Sequence, residues 1–242
     1  MDNVEALTVK KFIISMLIII IATVFILLVC VLIGPQIGIS DSLKTLLNPH
    51  ESHISSYQTV VNFRLPRVLL AAIVGAALSV AGVAFQAILR NPLAEPYILG
   101  ISSGGALGAV IAVFTGVTVS FSGFSAISVF SFTGCILTTL IVYLLASGHG
   151  HHIRYNLILT GVIVGAFLSA FVLLLTAVVR HNDLHRIVYW LMGNFNTPLE
   201  DFSLGFITVY IIVGFLLIFS LSRSFNVLML GDESAASLGC NP

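Results

Sequence analysis

Side chains able to do chemistry are sparse in this chain, and they gather at a few places. Three of the seven histidines form the run "HGHH" (His149, His151 and His152), and two more, His181 and His185, stand four apart, close enough to share a helix face. Imidazoles so spaced could offer nitrogens to a metal ion. By the order of spans derived below, however, the two groups fall on opposite sides of a membrane, and neither alone supplies a full ligand set. No metal site is expected. Cys30, Cys135 and Cys240 are scattered, and the first two lie within apolar runs, where a thiol behaves as a small hydrophobe. The chain carries no GxxxxGK[ST] phosphate loop and no HExxH, GxSxG or CxxC. It therefore reads as a protein that neither binds ATP in that manner nor catalyses a reaction. Carboxylates of the kind that relay protons or sodium inside a membrane are missing from every apolar run.

The remaining polar residues interrupt long apolar stretches. "RLPR" places Arg64 and Arg67 just ahead of one such stretch, and "RNPLAEPYILG" (90–100) separates two others. Pro92 cannot continue a helix and restricts Asn91 before it, while Pro96 suits a first helical turn with Glu95 near its positive end. A sharp, rigid turn follows. In "LGDESAASLG" Gly231 breaks the chain, Asp232 and Glu233 favour a helix N-terminus, Ala235 and Ala236 are small, and Gly239 can end the helix.

The elements that hold these groups follow from composition. With 58% hydrophobic and 8% charged residues and a mean hydropathy of +1.10, the chain is far from the soluble range, in which about a quarter of residues are charged. It is an integral membrane protein, all-α because backbone groups find no water in a bilayer. Ten acidic and ten basic residues leave no basic field for nucleic acid. Spans of about 20 residues are expected at 12–33, 68–89, 97–114, 122–146, 155–179 and 202–222. The first, with 22 uncharged residues, exceeds a signal-peptide core of about 7 to 15 and reads as a retained anchor. "LLVC" at Cys30 is a poor lipoprotein site because Val29 is bulky. Residues 34–63 read as a polar loop with one short helix near Asp41–Leu47.

Between spans five and six, "DLHRIVYWLMGNF" puts Leu184, Ile187, Val188 and Leu191 on one helical stripe. Two readings fit it: a helix at the membrane surface with Tyr189 and Trp190 among the headgroups, or an extension of the fifth span. Six spans place both termini on one side. Lys10, Lys11, Arg90, Arg154 and Arg223 share that side, against Lys44, Arg64, Arg67, Arg180 and Arg186, so the positive-inside rule does not choose between orientations. Gly100, Gly104 and Gly108 recur every fourth residue, as do Gly161, Gly165 and Ser169. Such small faces let helices approach closely.

Four segments taken together, "RLPRVLLAAIVGAALSVAGVAFQAILRNPLAEPYILGISSGGALGA" (64–109), "LILTGVIVGAF" (157–167), "VYWLMGNF" (188–195) and "LMLGDESAASLG" (228–239), strongly resemble the FecCD-type permeases. These are the membrane subunits of ABC importers for ferric siderophores, haem and vitamin B12. The resemblance implies a ten-helix permease, homodimeric or paired with a related permease, in a bacterial or archaeal plasma (inner) membrane with its N-terminus cytoplasmic. Two ABC ATPase subunits, which use ATP and Mg, would bind inside, and a substrate-binding protein would dock outside. This chain itself would hold no cofactor, and besides these partners it would meet only membrane lipid.

The same resemblance implies roles for particular residues. Arg64 and Arg67 match outward arginines that dock glutamates of the binding protein, and paired charges of this kind steer encounter and set register; the plainer reading is two arginines snorkelling at a helix end. Asn91 and Leu93 match positions that narrow the inner mouth of the pathway, a cytoplasmic gate. Gly231, Asp232, Glu233, Ala235, Leu238 and Gly239 match the start of the segment, from about residue 228, that couples the permease to the ATPase. The whole chain is expected to be one permease domain, its N-terminal part, because the family continues with roughly four more helices; alone it would not transport. A ferric siderophore is the expected cargo, with haem or vitamin B12 as alternatives. The rival function is a secondary transporter or channel, distinguished by independence of ATP and of a binding protein.

Overall fold

A computed structural model describes residues 8–49, 53–117, 125–148, 153–193, 195, 201–231 and 237, with no side-chain detail at 201–203. Every regular element among them is helical. Four helices are long and apolar enough to cross a membrane, and a fifth qualifies if one bent pair counts as a single span. The protein is an all-α, multi-pass membrane protein. The chain divides into two compact units, residues 1–74 and 75–242.

The first unit begins with α1 (Val9–Leu32), whose only buried side chain is Val31. At 24 residues it is about 36 Å long. A short link leads to α2 (Ile39–Leu47), which matches the small helix expected in the first loop. The rest of that loop departs from expectation. Residues Ile54–Tyr57 form α3, Gln58–Arg64 continue it as a π-helical stretch, and α4 (Leu65–Leu89) follows without a break. Proline explains the wide turn: Pro66 has no N–H and would press on the carbonyl four residues back, and i→i+5 bonding makes room. The N–H of Leu65 accordingly bonds the carbonyl of Val60, five residues earlier.

The second unit contains the end of α4, then α5 (Ile101–Thr115), α6 (Ala126–Ser147), α7 (Ile153–Val178), α8 (His181–Leu191), α9 (Asp201–Ser220) and α10 (Ser222–Met229). The third span was expected over 97–114, yet Pro96–Leu99 form a 3-10 turn and Gly100 takes φ +70° before α5 starts. That left-handed residue ends one helix and begins another. What remains is 15 residues, short of the ~20 that span a bilayer core. A second departure is the end of the sixth span, where the helix axis bends by 50° between α9 and α10.

α8 is a separate helix, because Arg180 is extended (ψ 146°) ahead of it. It does not merely rest on a surface. Ile187 is buried against Val110 and Val113 of α5, and Ile127, Val172, Leu175 and Val179 pack around the same cluster. Of the predicted stripe, Leu184 is half-buried, while Val188 and Leu191 stay exposed.

Candidate functional site

In the first unit the two arginines of "RLPR" have different fates. Arg64 turns inward. Its Nη2 donates to the Pro35 carbonyl at 2.7 Å and the Ile37 carbonyl at 3.5 Å. Its Nη1 donates to Ser42 Oγ at 3.1 Å and to the carbonyls of Val31 and Leu32, each at 3.3 Å. Those last two carbonyls belong to the final turn of α1, where intrahelical partners run out and the dipole is negative. The guanidinium thus caps α1 and ties it to α2. Gly34 is shaped by this arrangement, since a Cβ there would lie 2.8 Å from the guanidinium carbon. Arg67 instead is exposed, its guanidinium 5.8 Å from the centre of the Phe63 ring.

In the second unit the "RNPLAEP" turn is locked by its own side chains. Asn91 Oδ1 accepts the N–H of Leu93 at 2.9 Å, an Asx turn. Gln86 Nε2 donates to the Pro92 carbonyl at 3.0 Å, and the Ala94 N–H closes on the Asn91 carbonyl at 3.0 Å. Arg90 ends α4 with φ +50°. Ala94 is buried under the turn, and Leu93 stands at its tip, 81% exposed. Asn91 therefore shapes the turn, and Leu93 is the side chain it presents.

The glycines bring helices together, but not as two stripes facing each other. Gly100 meets α7: a Cβ there would lie 2.9 Å from the Gly161 carbonyl oxygen and 3.0 Å from Gly165 Cα. Gly161 packs in turn on Ile98 and Leu99, with 2.6 Å from its would-be Cβ to the Ile98 carbonyl oxygen. Gly104 and Gly108 face α6 instead, where a Cβ would strike Thr138 and the Gly134 carbonyl in the first case and the Phe130 carbonyl in the second. Spacing exposed the small faces and hid which neighbour each would meet. It also missed Gly134, whose partner is Gly104: Thr138 follows four positions along α6, but Phe130 and Val142 on either side keep the small face to two residues. Ser169 extends the α7 stripe differently, through a 3.1 Å hydrogen bond to Ser103.

Beside these contacts lies a groove of about 520 Å³ that sequence reasoning did not find, lined by Ser102, Ser103, Ser131, Ser169, Cys135 and Trp190 among others. Its hydroxyls could hydrogen-bond polar groups within an otherwise apolar layer. Only the three-dimensional arrangement collects them, since they come from three helices.

His181 and His185 do share a face, with ring centres 5.0 Å apart, and His185 Nδ1 lies 3.1 Å from the His181 carbonyl oxygen. Among the described residues no three His, Cys, Asp or Glu side chains come together. His149, His151 and His152 lie outside the described residues. In the segment expected to couple to an ATPase, Gly231 follows α10 with φ +116° and its N–H bonds the Leu228 carbonyl at 3.3 Å. Asp232, Glu233, Ala235, Leu238 and Gly239 lie outside the described residues.

An all-helical chain with glycine-packed apolar helices, a proline-bounded turn and a charged motif at the start of α4 belongs to the class of polytopic membrane proteins. The comparisons carry this to a family. Residues 12–242 match the FecCD transport family. The chain is 40% identical over 207 residues to the "Uncharacterized ABC transporter permease protein YvrB" of Bacillus subtilis, which covers 85% of this chain and 55% of that one. It is 36% identical over 216 residues to the "Probable iron chelatin transport system permease protein" of Helicobacter pylori, covering 86% and 63%. With the "Hemin transport system permease protein HmuU" of Yersinia pestis it shares 37% over 212 residues, covering 84% and 60%. Among solved structures it resembles "An inward-facing conformation of a putative metal-chelate type ABC transporter", with a TM-score of 0.74 and 30% identity over 96% of this chain and 68% of that one. The chain belongs to the FecCD transport family. It spans between about half and two thirds of the length of these curated relatives.

Proposed function

We propose that this chain is a membrane-spanning permease subunit, or part of one, in an ATP-driven ABC importer that moves a metal chelate into the cytoplasm. The carrying observation is the family match over residues 12–242, with relatives whose names include iron chelatin and hemin permeases. A ferric siderophore is the first choice of cargo, ahead of haem and vitamin B12. The absence of a phosphate loop fits an ATPase on separate subunits, two of them, using ATP and Mg. The permease pairs with a second copy or a related chain, and the N-terminus is cytoplasmic.

Within this reading the docking charge is Arg67, which is exposed, whereas Arg64 is committed to five acceptors of its own unit. Leu93 is the gating side chain, and Asn91 holds the turn that presents it. The segment from Gly231 to Gly239 engages the ATPase.

Uptake of radiolabelled ferric siderophore by proteoliposomes holding the assembled transporter tests the proposal. Uptake should require ATP and the binding protein; uptake driven by an ion gradient without ATP would overturn it. Arg67→Glu should weaken association with the binding protein. Cross-linking Leu93→Cys across the dimer should stop transport, and transport through the linked form would refute the gate.

A further inference from the structure

α2 is amphipathic the wrong way round for a soluble helix. Its buried residues are polar, Ser42 at 0% and Thr45 at 1% exposure, while Ile39, Leu43 and Leu47 are 56%, 46% and 71% exposed. At about 100° per residue these three occupy an arc about 80° wide. Ser40 and Lys44, both exposed, lie next to that arc on one side, and Ser42 and Thr45 lie on the other.

The polar face is accounted for within the unit. Ser42 Oγ receives the Arg64 guanidinium at 3.1 Å, and Thr45 Oγ1 bonds back to the Asp41 carbonyl at 2.7 Å. Among the described residues of its unit the apolar edge has no such partner, and its depth points to what covers it. α1 is uncharged from Phe12 to Leu32, a stretch about 32 Å long that just covers the ~30 Å hydrocarbon core. Its last turn therefore reaches the edge of the bilayer. Arg64 bonds both that turn and Ser42, so α2 is held at the same level. A short helix at that level, with an apolar edge beside a lysine that can snorkel, fits the boundary between headgroups and acyl chains.

We propose that α2 is an interfacial helix whose Ile39, Leu43 and Leu47 edge sits in the outer part of the lipid layer, with Arg64 fixing its rotation. The inference is independent of the cargo and of the ATP-driven reading.

Spin labels on single cysteines test it, introduced by Ile39→Cys, Leu43→Cys, Leu47→Cys, Ser40→Cys and Lys44→Cys in the full chain with its native cysteines replaced by alanine. The chain is placed in vesicles of phosphatidylcholine and phosphatidylglycerol, and collision of each label with oxygen, which partitions into lipid, is compared with collision with a water-soluble nickel chelate. The oxygen-to-nickel ratio should be several-fold higher at 39, 43 and 47 than at 40 and 44. Equal ratios at all five sites would overturn the proposal by placing the edge in water. Low collision with both reagents at 39, 43 and 47 would overturn it by placing the edge against protein. Because all five sites are exposed, the labels should not disturb folding, and an unchanged thermal unfolding profile for each variant confirms that the readings come from the native helix.

Discussion

At the end of α1 one guanidinium reaches five oxygens, whereas between α5 and α6 the Gly104 and Gly108 backbones press directly on Gly134 and Phe130. Both arrangements hold helices whose outer surfaces are apolar, and the surroundings decide which device works. Inside a membrane, burying apolar side chains gains little because lipid is equally apolar, so close van der Waals approach has to hold the helices together. At the membrane edge the carbonyls of a helix end need donors. There a fork of fixed N–H groups satisfies several acceptors with one side chain.

If that contrast is right, the two regions should fail differently. The largest effect is expected from Gly108→Leu, which drives a branched side chain into the Phe130 carbonyl. Its cost should reach or exceed the ~3 kcal/mol upper range of overpacking, seen as loss of monodisperse protein in size-exclusion chromatography. Next comes Arg64→Ala, which removes charged hydrogen bonds worth about 1.5–3 kcal/mol and should lower Tm in detergent. Arg64→Lys should recover only part of that loss, since an ammonium cannot span the same acceptors; full recovery would mean that charge alone mattered. Ser103→Ala, which breaks the bond to Ser169, should cost about 0.6 kcal/mol. Smallest of all is Gly214→Ala in α9, where a Cβ meets nothing within 4 Å. Its effect on stability, read from Tm in detergent, should stay within about 0.5 kcal/mol. If it matched Gly108→Leu, glycine content rather than backbone approach would explain both.

Much of this was readable from residue types. Uncharged runs of the right length located α1, α6 and α7 to within a few residues, because membrane spans are set by hydropathy with little competition from other signals. Prolines 92 and 96 marked a turn, and the chain turns there. The helix over 54–64 was hidden because Ser, Gln and Asn look like loop, while its continuation into α4 depends on a wide turn ahead of Pro66. α5 was misjudged in length because Gly100 counts as apolar in a hydropathy run, although its left-handed backbone splits the helix. The Arg64 brace was beyond reach of any periodicity, since its partners lie 22 to 33 positions earlier in the chain.

The π-helical stretch at Gln58–Arg64 gives the protein a sensitivity to chain length that substitutions do not reveal. Removing one residue there would close the wide turn to ordinary α-helical bonding. Because an i→i+5 turn holds one residue more than an i→i+4 turn, the flanking parts would keep nearly their present orientation. The cost would fall on the proline, since the carbonyl four residues before Pro66 would meet its ring. Arg64 would hold the oxygens of residues 31–42 only while that strain was absorbed elsewhere in the helix. In this part of the molecule the number of residues is as tightly constrained as their identity.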